Sequence, residues 1–355
     1  MQRITQTVAE ITPLNEDAAN QARTRLDLLT KPPGSLGRLE ALAVQLAGIT
    51  GEVSPNVAPA AVMVMAGDHG VTAEGVSAYP SEVTPQMVLN FLHGGAAINA
   101  LSRVSDARVV VVDVGVAAEM SHPALIVRKI RPGTGNICRE PAMTRAEAEQ
   151  AICCGIDLAE AEAARGTSVI ALGEMGIGNT TPSAAILAAF SGHAPERVVG
   201  RGTGVDDRGL QRKADAVRRA LARHAPDPYD PIGVLASVGG LEIGALAGLI
   251  LGAAARRMPV VLDGFITSAA ALIAAGIAPE ARQYLIAAHR SPEPGHSLVL
   301  ELLGLKPLLE FDLRLGEGSG AALALPILQA VHRVMTEMAT FGEAGVAGPT
   351  AEAGR

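Results

Sequence analysis

Short runs rich in β-branched residues recur along the 355-residue chain, and each is followed by a stretch of helical character. The runs lie at 60–70, 107–115, 167–176, 259–264 and 283–289. Strands that alternate with helices are typical of βαβ units, which build parallel sheets. Residues 109–112 are four successive valines, apolar on both faces, as in a strand that helices cover above and below. The pattern predicts an α/β fold with a doubly wound, mostly parallel, Rossmann-like sheet.

The two ends of the chain lack such runs and have helical periodicity instead. We therefore expect a large α/β domain over 56–320 and a small helical domain built from 1–55 plus 321–341. Residues 342–355 are expected to form a flexible tail. The main helices are predicted over 35–50, 144–165, 182–190, 207–224, 241–257 and 320–340.

Charge and apolar segments exclude several classes of partner. The formal net charge is -7 and no run is rich in Lys or Arg, so no nucleic-acid partner is expected. The first 17 residues carry polar and acidic side chains where a signal peptide would be apolar. The uncharged stretch 243–255 is too short to span a bilayer comfortably, so no membrane partner is expected. The three cysteines form no CxxC motif, which predicts reduced thiols in a cytoplasmic protein.

A glycine-rich loop, LGEMGIGNTTP (172–182), joins the end of a predicted strand to a predicted helix. Glycine lets the backbone approach a ligand closely, and free N–H groups at a helix start favour an anion. Two further loops, at 200–207 and 313–322, have similar chemistry, and Arg201, Lys213 and Arg314 lie in or near them. Such loops converge at the carboxyl ends of the strands in an open α/β sheet. The set predicts a phosphorylated ligand, the alternative being simple βα turns.

Other nucleotide-binding patterns fit less well. The first loop has the spacing GxxGxG and not GxGxxG, so an NAD(P)-dependent oxidoreductase is a weak alternative. The run VVLDGFITS (260–268) has a single Asp where a phosphoribosyl-pyrophosphate site has paired acidic residues. A non-catalytic nucleotide-binding regulatory protein is the remaining alternative.

Two glutamates, Glu174 and Glu317, lie inside glycine loops. A carboxylate between glycines can approach a substrate closely, which suits a general base or an acceptor for a hydroxyl. The alternative is a solvated loop side chain. Asp263 at the end of an apolar run is a third candidate, with helix N-capping as its alternative role.

The histidines His69, His289 and His296 lie at or after the ends of predicted strands, but their spacing matches no zinc pattern. We expect structural or substrate-positioning roles for them, and neither a metal nor a cofactor. No GxSxG motif is present, and the adjacent Cys153 and Cys154 fall in a predicted helix, so covalent catalysis is not indicated.

Eight segments together resemble one enzyme family, the nicotinate-nucleotide-dimethylbenzimidazole phosphoribosyltransferases of cobalamin lower-ligand synthesis. They lie in family order at 31–40, 66–71, 79–88, 173–181, 200–207, 237–248, 261–272 and 313–326. The resemblance implies transfer of 5-phosphoribosyl from nicotinate mononucleotide to 5,6-dimethylbenzimidazole with inversion at C1′. The products would be α-ribazole 5′-phosphate and nicotinate, and the enzyme would be a homodimer that needs no cofactor.

The resemblance also suggests a role for particular residues. Glu317 would be the catalytic base, and Glu174 would support the sugar. The benzimidazole would contact Ser81, Gln86, Met175 and Leu315. The phosphoribosyl group would contact Gly176, Gly178, Asn179, Thr180, Arg201, Gly202, Thr203, Gly204, Lys213, Asp263 and Arg314.

Overall fold

Six parallel strands form a single sheet in a computed structural model that describes residues 1–202 and 204–348. The sheet order is β3-β2-β1-β4-β5-β6. The strands are β1 (Ala60–Gly67), β2 (Arg108–Gly115), β3 (Leu125–Val127), β4 (Val169–Met175), β5 (Val260–Leu262) and β6 (Leu285–Ala287). The chain moves outward from β1 on both sides, which is the doubly wound order of the Rossmann fold. The predicted fold class is confirmed.

Fifteen α-helices surround the sheet within the described residues. They are α1 (Gln2–Glu10), α2 (Glu16–Leu28), α3 (Arg38–Thr50), α4 (Val83–Leu92), α5 (Ala97–Ser102), α6 (Arg145–Ala164), α7 (Thr180–Ser191), α8 (Pro195–Val198), α9 (Asp207–His224), α10 (Pro231–Val238), α11 (Leu241–Ala255), α12 (Phe265–Ile277), α13 (Pro294–Leu303), α14 (Ser319–Glu337) and α15 (Phe341–Ala344). In the described part of the chain, no helix is both long enough and apolar enough to cross a membrane.

The central strand β1 is covered on both faces. Met63 and Met65 belong to one buried cluster with residues of α6 and α11, and Val62 and Val64 belong to a second with residues of α3 and α14. Because successive side chains of a strand point to opposite faces, the run of apolar residues fills both cores. A Cβ at Gly248 of α11 would lie 1.8 Å from the carbonyl oxygen of Ile152 in α6, so glycine permits this close helix contact.

The terminal segments contact each other, as the predicted helical domain requires. Leu29 forms a backbone bridge with Thr340, the Arg25 side chain donates to the Met335 carbonyl, and α3 packs on α14. However, α1 packs on α6 and α11, and α14 also packs on the sheet. The domain boundaries therefore stay a prediction. Part of the expected tail forms α15, and residues 349–355 lie outside the described residues.

Candidate active site

A cavity of about 670 Å³ opens beyond the carboxyl ends of β4, β5 and β6. Open α/β sheets bind ligands at this edge, beside the point where the strand order reverses. Its walls come from the segment 79–87, from the loops after the three strands, and from the segment before α14. They comprise Tyr79, Val83, Met87, Glu174, Met175, Gly176, Ile177, Asn179, Thr180, Gly202, Asp263, Gly264, Phe265, Ile266, Thr267, His289, Ser291, Glu293, Asp312, Leu313, Arg314, Leu315, Gly316 and Glu317.

Glu317 lies on the cavity wall in a turn of unusual backbone geometry. Gly316, Glu317 and Gly318 have φ values of +85°, +64° and +90°. The side chain is buried, and its Oε2 has no hydrogen-bond partner among the described residues. Burial raises the pKa of Glu317, while a backbone hydrogen bond from Ile98 opposes the shift. A raised pKa makes the carboxylate a stronger base, so the residue is suited to accept a proton.

Glu174 is the second buried carboxyl group of the cavity and lies in β4 just before its end. Burial raises the pKa of Glu174 to about 8, and the nearby Asp263 and Glu317 carboxyl groups add to the shift. The Asn179 side-chain amide donates to its Oε2. A Cβ at Gly316 would lie 2.3 Å from the other oxygen, so the Glu174 side chain and the Glu317 turn are in direct contact. The raised pKa favours the protonated form of Glu174 near neutral pH.

Asp263 follows β5 and points at the start of α14. Its carboxylate accepts hydrogen bonds from the N–H groups of Gly318, Gly320 and Ala321, at 3.2, 2.6 and 3.1 Å. Burial raises the pKa of Asp263 to about 7, and the three N–H donors lower it. The Nε2 atom of His289 lies 3.7 Å from Oδ1. Asp263 is therefore part of the support for the turn that carries Glu317.

A buried cation, Lys213, lies directly behind Gly202. The Lys213 side chain is 1% exposed, and its Nζ donates to Thr180 Oγ1 at 2.7 Å. A Cβ at Gly202 would lie 2.8 Å from that Nζ, so the ammonium group is immediately behind the loop backbone. Burial lowers the pKa of Lys213 to about 8, and the Glu293 carboxylate opposes the shift. Glu293 Oε1 also accepts the Gly202 N–H at 2.8 Å.

The structure brings ten of the predicted site residues onto the cavity wall: Glu174, Met175, Gly176, Asn179, Thr180, Gly202, Asp263, Arg314, Leu315 and Glu317. Six others lie off the wall: Ser81, Gln86, Gly178, Arg201, Gly204 and Lys213. Thr203 lies outside the described residues.

The residues off the wall differ in their distance from the cavity and in their contacts. Lys213 is one layer behind it through Thr180, as described above. Ser81 Oγ donates to Thr72 Oγ1 at 3.0 Å, and Gln86 is exposed on α4. Arg201 donates to the Val205 carbonyl and pairs with Asp207 at 2.5 Å, so this guanidinium faces its own loop.

Sequence reasoning missed part of the wall. The apolar residues Tyr79, Val83, Met87 and Phe265 line it, as do the polar Ser291 and Glu293. Val83 and Met87 are four residues apart on α4, a spacing that puts both on one helix face. The segment 79–88 is one of those that resemble the family, so the spacing of Val83 and Met87 within it could have indicated that both line the cavity. Ser291 and Glu293 belong to no recognisable motif.

His69 and His296 have structural partners, whereas His289 lies on the cavity wall. His69 Nε2 lies 2.8 Å from Glu242 Oε1 in a buried pair. Burial lowers the pKa of His69, but the Glu242 carboxylate more than offsets this effect, so the pKa is raised overall. The Ser291 N–H donates to His296 Nδ1, which places the proton of a neutral ring on Nε2 toward Ser268. Burial lowers the pKa of His296 to about 3. No three His, Cys, Asp or Glu side chains of residues 1–202 and 204–348 are grouped so that they could hold a metal ion.

Comparison with known proteins supports the sequence resemblance. A phosphoribosyltransferase family model, DBI_PRT, matches residues 11–346. The chain is 58% identical over 347 residues to the nicotinate-nucleotide-dimethylbenzimidazole phosphoribosyltransferase of Chloroflexus aggregans, covering 98% of each chain. It is 54% identical over 355 residues to the protein of that name from Halalkalibacterium halodurans, covering 100% of this chain and 99% of the relative. The crystal structure of CobT from Thermus thermophilus superposes with a TM-score of 0.90 at 54% identity, covering 94% of this chain and 100% of that one.

Proposed function

The chain belongs to the family of nicotinate-nucleotide-dimethylbenzimidazole phosphoribosyltransferases, and we propose that it performs their reaction in the cavity described above. It transfers the 5-phosphoribosyl group of nicotinate mononucleotide to 5,6-dimethylbenzimidazole. The products are α-ribazole 5′-phosphate and nicotinate, and the first of these supplies the lower ligand of cobalamin. The observation that carries the proposal is Glu317, a buried carboxylate on the wall of a cavity of about 670 Å³, one of whose oxygens has no hydrogen-bond partner in the described part of the chain.

The walls of the cavity differ in polarity, which supports a separate place for each substrate. Met87, Met175 and Leu315 offer apolar surface to the flat benzimidazole ring. The loop at Gly176–Thr180, the Gly202 backbone and the Arg314 guanidinium offer donors and positive charge to the phosphoribosyl group, with Lys213 behind them. This division of the walls supports binding of nicotinate mononucleotide beside the benzimidazole, with Glu317 as the base for the acceptor ring.

The chemistry of the donor explains why few catalytic groups are needed. Its C1′ atom is bonded to a cationic pyridinium nitrogen, so departure gives a neutral pyridine ring and needs no proton from the enzyme. The donor has the β configuration and the product the α configuration, so the acceptor nitrogen attacks opposite the leaving nicotinate. Holding both rings in line supplies much of the rate acceleration.

Glu317 supplies the one proton transfer that the displacement requires. When one benzimidazole nitrogen bonds to C1′, the other must lose its proton, and the Glu317 carboxylate accepts it. Glu174 in its protonated form donates a hydrogen bond to a ribose hydroxyl. The cationic pyridinium nitrogen of the donor, bound beside Glu174, would lower the pKa of Glu174 and let the carboxylate offset the positive charge that develops on the sugar.

A product assay tests the function. Purified protein is incubated with nicotinate mononucleotide and 5,6-dimethylbenzimidazole, and the products are separated by chromatography. We expect nicotinate and α-ribazole 5′-phosphate in equal amounts. Release of nicotinate in the absence of 5,6-dimethylbenzimidazole would indicate a hydrolase. If no nicotinate is released, a regulatory protein or an oxidoreductase would be favoured.

A second assay tests the catalytic site with matched variants. We expect Glu317→Gln to lower kcat by about 10²- to 10⁴-fold, because the amide keeps the shape but cannot accept the proton. Glu162→Gln is the control, since Glu162 is also buried but pairs with Arg108 outside the cavity wall. Equal kcat values for wild type and Glu317→Gln would contradict the assignment.

We further propose a homodimer and a cytoplasmic location. The family resemblance supports the dimer, and three free cysteines agree with a reducing compartment. Sedimentation equilibrium tests the first, with a mass near 36.3 kDa contradicting it. Cell fractionation tests the second, and recovery of the protein outside the cytoplasmic fraction would contradict it.

A further inference from the structure

Asp263 binds the backbone on the C-terminal side of Glu317, although the two residues are far apart in the sequence. All three N–H groups that its carboxylate accepts belong to 318–321, directly after the candidate base. Gly318 at the start of α14 has no side chain that could cap the helix, so Asp263 provides the cap from β5. Both carboxylate oxygens are used, and the side chain is 2% exposed.

The backbone that Asp263 binds needs support. Glu317 is a non-glycine residue in the left-handed region, between two glycines that share this conformation. Left-handed geometry costs free energy for a residue with a Cβ, so it persists only where surrounding contacts impose it. The hydrogen bond from the Gly318 N–H group to Asp263 Oδ2 holds the peptide group that directly follows Glu317.

We propose that Asp263 is a positioning residue for Glu317, holding the turn so that the Glu317 carboxylate faces the acceptor base, and not a ligand of the sugar. The inference rests on the proposed role of Glu317 as base. It replaces the expectation from the family resemblance that Asp263 contacts the phosphoribosyl group. Asp263 Oδ1 accepts two of these hydrogen bonds and Oδ2 accepts one, so most of the acceptor capacity of the carboxylate is used by the backbone of 318–321.

The variant Asp263→Asn tests this role through one hydrogen bond. The asparagine oxygen can still accept from Gly320 and Ala321, but the new amide N–H group faces the Gly318 N–H. We expect kcat to fall about 10- to 100-fold because a small misplacement of a catalytic group costs about this much. The KM for nicotinate mononucleotide should change less than about threefold. A raised donor KM with kcat retained would make Asp263 a sugar ligand and overturn the proposal.

A double-mutant cycle separates this proposal from the function of Glu317. If Asp263 acts through Glu317, adding Asp263→Asn to Glu317→Gln should lower kcat by less than about threefold further. The same fall in both backgrounds would overturn the positioning role and leave the base assignment intact. An unchanged kcat in Glu317→Gln alone would instead remove the base assignment itself.

Asp113 offers a matched control for the loss of a backbone-binding carboxylate. It is fully buried near the end of β2, and its Oδ1 accepts the N–H groups of Gly115 and Val116 at 3.1 and 2.8 Å. Asp113→Asn should lower Tm while kcat and KM stay near wild type, and an equal loss of kcat there would overturn the specific role of Asp263. If Asp263→Asn does not fold, Asp263→Glu is scored by the same criteria, because it keeps the charge and shifts the cap by one methylene.

Discussion

Gly173 contacts the backbone of Glu317 so closely that a Cβ at position 173 would lie 2.5 Å from the Glu317 carbonyl oxygen. Gly173 precedes Glu174 in β4, so one strand carries the second carboxyl group and also packs directly against the Glu317 turn. A side chain of any size at 173 must displace one of the two backbones. The active-site geometry therefore depends on this glycine.

We expect Gly173→Ala to lower kcat by about 10- to 100-fold, since the Glu317 turn must move by a fraction of an ångström or more. Steady-state kinetics measures kcat, and thermal unfolding measures how far the substitution destabilises the protein. Gly115→Ala is the control, because a Cβ there would lie 2.3 Å from Leu241 Cδ1, away from the cavity. A similar loss of kcat in both variants would mean that general destabilisation explains the result.

Lys213 is expected to contribute to donor binding from behind the loop wall. Lys213→Met keeps much of the buried volume but removes the charge next to Gly202 and Thr180. The KM for nicotinate mononucleotide should rise about 10- to 100-fold, as expected for loss of a charge-assisted contact, with the KM for the base nearly unchanged. Arg197→Met, at an exposed cation of α8, should leave both values unchanged. Equal effects of Lys213→Met on both substrates would argue against a phosphate site here.

The reaction is expected to proceed without a divalent metal. The ring nitrogen bonded to C1′ in the donor is already a pyridinium cation, so no Lewis acid is needed to polarise this bond. Excess EDTA should leave kcat within about twofold of the untreated value. Loss of activity that Mg²⁺ or Zn²⁺ restores would contradict this expectation.

The fold and much of the cavity wall could be predicted because their pattern is local. Runs such as Val109–Val112 are apolar on both faces, and the glycine loops after them reach the sheet edge by the rules of parallel sheets. Strand β3 escaped prediction because it has three residues at the edge of the sheet, and Val127 is 50% exposed.

Contacts between distant segments could not be predicted. Capping was an alternative role for Asp263 in the sequence, but the helix it caps is α14 and not the adjacent α12. This outcome depends on which backbone the folded chain brings near the Asp263 side chain, and a single sequence does not contain that distance.

Glu174 should make stability depend on pH. The pKa of Glu174 is about 8 when folded, against an ordinary value of 4.5, so the folded state holds the extra proton between these values. The unfolding free energy should therefore fall as the pH rises from about 4.5 to about 8. Asp263, with a pKa of about 7, shifts stability in the same direction.

Glu174→Gln removes the first of these contributions. Between pH 5 and pH 8, the unfolding free energy of wild type should fall by at least about 1 kcal/mol more than that of the variant, because one pKa unit corresponds to about 1.4 kcal/mol. Urea unfolding across this range measures the difference. The exposed Glu82→Gln control should follow wild type. Parallel curves for wild type and Glu174→Gln would show that Glu174 does not hold the proton.

The acceptor itself can reveal whether Glu317 removes a proton. N-methylated dimethylbenzimidazole has no proton to lose, and its attack on C1′ gives a cationic product. If proton transfer is the role of Glu317, the loss of about 10²- to 10⁴-fold in kcat that Glu317→Gln causes with the natural base should shrink with this acceptor. The comparison uses the ratio of wild-type to variant kcat for each acceptor, so a slower reaction of the methylated ring cancels out. A ratio equally large for both acceptors would mean that Glu317 orients the ring or stabilises charge, because no proton transfer is available to account for it.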